Sequence, residues 1–82
     1  MYAVKDGLRW STDENYSQRV WENSYGDLIY RTRNGRWFCL IQGCEIVPLT
    51  LEELTSEIER NCFDVGRVVD MFPELEDCLP WA

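Results

Sequence analysis

Fifteen carboxylates, eight cations, four cysteines and no histidine define the chemistry open to this 82-residue chain. Without an imidazole there is no Ser-His or Cys-His nucleophile pair, and no glycine loop of the phosphate-cradling kind is present. Paired carboxylates with separated pKa values would be the remaining route to acid–base catalysis. The densest acids, Glu52, Glu53, Glu57 and Glu59, fall at spacings expected to put them on the solvent side of a helix, away from the burial that acid–base work would need. The expectation is a protein with no catalytic residues.

Cys39, Cys44, Cys62 and Cys78 are separated by four, seventeen and fifteen residues. Structural zinc sites place two ligands two to four residues apart on a tight knuckle, and only the first pair approaches that spacing. No metal and no cofactor is expected. The opening "MYAVKDGLRW" lacks the basic-then-apolar layout of a secretion signal, and no apolar run reaches the roughly 18–20 residues of a membrane span. The expectation is a cytoplasmic protein with free thiols.

The charge is uneven along the chain. Residues 1–44 carry six basic residues against five acids, whereas residues 45–82 carry ten acids against Arg60 and Arg67. A field of −8 on the second half repels nucleic acid and anionic membrane and attracts basic protein surfaces. Against it stands "YRTRNGRWF", residues 30–38, where Arg31, Arg33 and Arg36 crowd an Asn-Gly turn beside Phe38. Aromatic residues with arginine are frequent anchors of protein interfaces, and Trp10, Trp21 and Tyr25 are candidate neighbours of this second surface.

These groups need a scaffold, and the pattern predicts α+β: a small antiparallel sheet at about 2–47 packed against C-terminal helices at about 51–62 and 65–72, with an anchored tail at 73–82. One domain accounts for a chain this short. Asp6-Gly7 predicts a first hairpin and Val20-Trp21 a strand after a polar loop. Asn34-Gly35 predicts a two-residue type I′ turn, which sets Arg33 opposite Arg36 and Arg31 opposite Phe38. Alternation then assigns Leu28, Tyr30, Thr32, Trp37, Cys39 and Ile41 to the core face and turns the three arginines and Phe38 outward. "CEIVPLT" reads as a last strand ended by Pro48. Thr50 with Glu53 forms a capping box, and Leu51, Leu54, Ile58 and Cys62 give the helix its apolar stripe. Val65, Val68, Val69 and Phe72 are expected to face inward on the second helix, which Pro73 ends. Leu75, Leu79 and Trp81 are expected to pin the tail, leaving Glu74, Glu76 and Asp77 exposed.

Size, acidity and the lack of catalytic residues make the chain similar to small phage-encoded inhibitors of bacterial defence, anti-CRISPR proteins among them. That likeness is one of composition, and it implies a viral protein in the host cytoplasm that blocks a basic, nucleic-acid-binding surface sterically. The functional expectation is a protein-binding inhibitor or regulator contacting its partner through Glu52, Glu53, Glu57, Glu59, Glu74, Glu76 and Asp77, with Arg31, Arg33, Arg36 and Phe38 as a second contact. Carboxylate rows about 5–10 Å apart on one helix would imitate nucleic acid. No direct nucleic-acid or membrane partner is expected, and the surplus of aromatics is compatible with a homodimer. The alternative is single-stranded nucleic-acid or peptide binding through the aromatic and arginine face of the hairpin.

Overall fold

Six strands precede two helices: β1 (Tyr2–Lys5), β2 (Leu8–Ser11), β3 (Ser17–Glu22), β4 (Leu28–Thr32), β5 (Trp37–Ile41), β6 (Glu45–Leu49), α1 (Leu51–Asn61), α2 (Val65–Met71), then a 3-10 turn at Pro73–Asp77. The computed structural model describes residues 1–82. The α+β class expected from the sequence holds, with one change of plan. The strands form two sheets, a β1-β2 hairpin and a four-stranded meander in the order β3-β4-β5-β6.

The first hairpin turns at Asp6 and Gly7, both at positive φ, as a type I′ turn requires. The second turn differs from expectation. Only Gly35 takes positive φ, at 85°, and its N–H donates to the Thr32 carbonyl at 2.9 Å while Thr32 N–H donates to Arg36 O at 2.8 Å. A type I turn closed by a left-handed glycine contains one residue more than a type I′ turn. The register therefore moves by one, pairing Arg31 with Trp37, Tyr30 with Phe38 and Ile29 with Cys39.

A shift of one residue exchanges the faces of a strand. Ile29 joins Trp37 and Cys39 in a cluster with Val20, Trp21, Leu54, Ile58, Val68, Phe72 and Leu75, which places the helices over that face. Tyr30 and Leu28 join Phe38, Leu40 and Ile46 against Trp10, Ala3 and Leu8 of the first hairpin. The meander is thus covered on both faces, by helices on one and by a β-ribbon on the other. Phe38, expected at the surface, is 0% exposed, stacked on Tyr30 at 4.9 Å and met edge-on by Trp10 at 5.9 Å. A bulge between Arg19 and Trp21 lets the adjacent Val20 and Trp21 both enter the helix-side core.

β6 runs through Pro48, which pairs with Phe38, instead of ending there. Pro48 is tolerated because β6 is an edge strand, where a missing N–H breaks no ladder. Thr50 caps α1 through the expected capping box. Leu51 and Val65 are exposed instead of inward, while Leu54, Ile58, Val68 and Phe72 carry the buried stripe. Leu75 is buried and Leu79 packs against the core, but Trp81 is 99% exposed, so the tail is anchored only as far as Leu79.

Candidate functional site

Two chemically opposite surfaces emerge. The first is the helix side. Glu52 and Glu59 are exposed two turns apart on α1, on the side away from Leu54 and Ile58, about 10 Å apart along the axis. Asp70, Glu76 and Asp77 add exposed carboxylates from α2 and the 3-10 turn. Three ion pairs exist in the molecule: Lys5 with Glu45 at 4.0 Å, Arg67 with Asp64 at 3.1 Å, and Arg31 with Glu74 at 2.5 Å. Glu52, Glu59, Asp70, Glu76 and Asp77 belong to none of them.

The other expected acidic contacts have internal duties. Glu53 closes the capping box: its Oε1 accepts from Thr50 N–H at 3.0 Å, and this bond holds its pKa below the ordinary carboxylate value. Glu57 is half-buried, its Oε2 accepting from Asn23 Nδ2 and from Asn61 Nδ2, both at 3.2 Å. Asn23 is itself buried and accepts the N–H groups of Tyr25 and Asp27, so Glu57 ties α1 to the β3-β4 turn. Spacing on a helical wheel places Glu57 at the edge of the solvent face, but nothing in the sequence marks Asn23 as its partner.

The arginines divide as well. Arg31 lies on the helix face, where it meets Glu74 and sits 5.1 Å from the Phe72 ring centroid. Arg33 and Arg36 stay at the tip with no carboxylate partner. Arg33 Nη1 donates to Asn15 O at 3.1 Å, and its guanidinium lies 5.3 Å from the Tyr16 ring centroid. Tyr25 is exposed, whereas Trp10 and Trp21 are buried.

Between this tip and the first hairpin lies a groove of about 610 Å³, lined by Arg9, Arg33, Arg36, Tyr2, Tyr16 and Ser17 among others. No carboxylate lines it. Arg9 pairs with Val4 in the ribbon and has no ion pair, so three uncompensated guanidinium groups share one depression on a protein of net charge −7. Ser17 is 6% exposed, and its Oγ has no hydrogen-bond partner. Leaving a buried hydroxyl unpaired costs about 1–3 kcal/mol. Neither Arg9 nor Ser17 stood out in the sequence, because they reach the tip only through the folding of the ribbon across the sheet.

The cysteines are four separate thiols. Cys39 lies in the helix-side core, where burial first, then Asp27 and Glu57, push its thiol up to about 12. No three cysteine and carboxylate side chains converge closely enough to hold a metal ion, and no helix is long and apolar enough to cross a membrane. No protein-family model, curated protein or solved structure matches the chain.

Proposed function

We propose that this protein is a non-enzymatic binding module that sets the acidic side of its helices against a basic site on another protein and keeps that site's natural polyanionic ligand away. The observation that carries this reading is a group of exposed carboxylates on the helical half that enter neither an ion pair nor a side-chain hydrogen bond: Glu52 and Glu59 on α1, Asp70 on α2, and Glu76 and Asp77 beyond it. Of Arg31, Arg33 and Arg36, only Arg31 reaches an acid of the second half. The remaining field therefore acts outward. Charges of this kind accelerate encounter with a positive surface and select against negative ones.

The contact set supporting this reading is narrower than spacing implied. Glu53 and Glu57 hold the helix and its neighbour, and Glu74 holds Arg31. Glu52, Glu59, Glu76 and Asp77 form the working surface, with Arg33 and Arg36 able to meet an acidic patch of the same partner. The likeness in composition to phage inhibitors of host defence agrees with a nucleoprotein or nuclease as that partner.

The test is affinity capture from host extract with the wild type and with a variant carrying Glu52→Lys, Glu59→Lys, Glu76→Lys and Asp77→Lys. Wild-type protein is expected to retain a basic nucleic-acid-binding protein and to displace its nucleic acid. The reversed variant, folded as judged by circular dichroism, is expected to lose both. Equal capture by the two proteins would discard this surface.

A further inference from the structure

We propose that the groove between the β1-β2 ribbon and the β4-β5 tip binds a mononucleotide, holding its phosphate among Arg9, Arg33 and Arg36 and its base against tyrosine. Three features of the groove point to a compact dianion. Its cations have no acid partner and no carboxylate lines the wall, so the groove's own lining carries three positive charges within a molecule that is negative overall. Guanidinium groups offer forked donors that match phosphate oxygens. Ser17 also lines the groove, and its partnerless Oγ lies buried just behind that lining, where an oxygen acceptor would satisfy it once neighbouring side chains part.

Size and surroundings choose among phosphate carriers. A volume of about 610 Å³ lies in the range of small-molecule sites. Tyr2 and Tyr16 are exposed beside the arginines; the Arg33 guanidinium covers one face of the Tyr16 ring, which leaves the exposed Tyr2 ring as the stacking surface for a planar base. A long polyanion would extend toward the acidic half of the molecule, whereas a single nucleotide stays within about one Debye length, roughly 8 Å, of the three cations. This inference needs none of the exposed carboxylates of the acidic face; it shares with that reading only Arg33 and Arg36, which there are a second contact.

The test is titration of the intact protein with adenosine 5′-monophosphate, followed by nitrogen-15 NMR, beside adenosine, inorganic phosphate, a phosphoserine peptide and an oligoglutamate peptide. The monophosphate is expected to shift Tyr16, Ser17, Arg33 and Arg36 resonances and to bind more tightly than each comparison ligand. Arg9→Gln and Arg36→Gln are each expected to weaken it about tenfold or more. Ser17→Ala is expected to weaken it while holding or raising the melting temperature of the free protein, since the substitution removes an unsatisfied group. Glu52→Lys with Glu59→Lys is expected to leave it intact, which separates this site from the acidic surface. Absence of shifts at the groove, binding of adenosine equal to that of its monophosphate, or tighter binding of either peptide would each overturn the proposal. A Ser17→Ala protein that melts lower yet binds unchanged would overturn the part given to the hydroxyl.

Discussion

Arg31 Nε lies 2.5 Å from Glu74 Oε1, joining β4 to the 3-10 turn forty-three residues later, with the Arg31 guanidinium 5.1 Å from the Phe72 ring centroid. Both side chains are partly in water, which limits the gain from the pair. A double-mutant cycle of Arg31→Ala and Glu74→Ala is expected to give a coupling of about 0.5–1 kcal/mol that shrinks with added salt. Arg31→Ala alone should cost more than Glu74→Ala, because it also removes the guanidinium from the Phe72 ring.

Phe38→Ala should act through folding. The ring is fully buried between Tyr30 and Trp10, and truncating such a side chain costs about 3–5 kcal/mol. For a small domain that is a large share of total stability, so urea titration should show a loss of most of the folded baseline. A Phe38→Ala protein with wild-type stability would contradict the two-sided burial of the sheet.

Charge reversal on α1 should separate neighbours by role. Glu57→Lys removes the acceptor of Asn23 and Asn61 and is expected to destabilise by about 1–3 kcal/mol. Glu52→Lys touches no such network and is expected to stay within about 0.5 kcal/mol of wild type. Denaturant midpoints at constant m-value measure both.

Acid should loosen the start of α1 in a way that depends on Glu53. Its folded pKa is lowered by the Thr50 hydrogen bonds, so the unfolded chain takes up its proton first as pH falls. The contribution of Glu53 is therefore complete above the ordinary glutamate pKa and disappears as pH drops through the lowered folded value. The stability difference between wild type and Glu53→Gln, followed by helical circular dichroism, should be present near neutrality and vanish in strong acid.

Thiol reactivity should follow burial. Cys44 is exposed, while the Cys39 thiol sits in the core with its pKa pushed up to about 12. Only thiolate reacts with alkylating agents. Mass spectrometry after brief iodoacetamide treatment should find Cys44 modified and Cys39 intact until denaturant is added.

Much of the scaffold was written in local signals: Asp6-Gly7, Asn34-Gly35, the Thr50 box and the stop at Pro73 each mark the boundary that the structure has. The faces of β4 and β5 were not. Alternation specifies register when one face is polar, because a slip then drives polar groups inward. Here Leu28 and Tyr30 on one side and Ile29 on the other are all suited to burial, so the decision passed to the tip, where an Asn-Gly pair serves either turn. A two-residue turn would put Phe38 on the surface and Arg31 beside the tip; the three-residue turn buries Phe38 and sets Arg31 under the helices. Glu52 and Glu59 were legible from helical spacing alone. The Arg9–Arg33–Arg36 groove was not, since its walls come from the ribbon and the meander, which no pattern in the sequence relates.

Each strand of the meander pairs with the one before it, and α1 follows directly after the last. Nearly every backbone partnership is therefore settled by segments made seconds apart at most, and chains with such nearby partners cross their folding barrier in about milliseconds, faster than sandwiches of equal size.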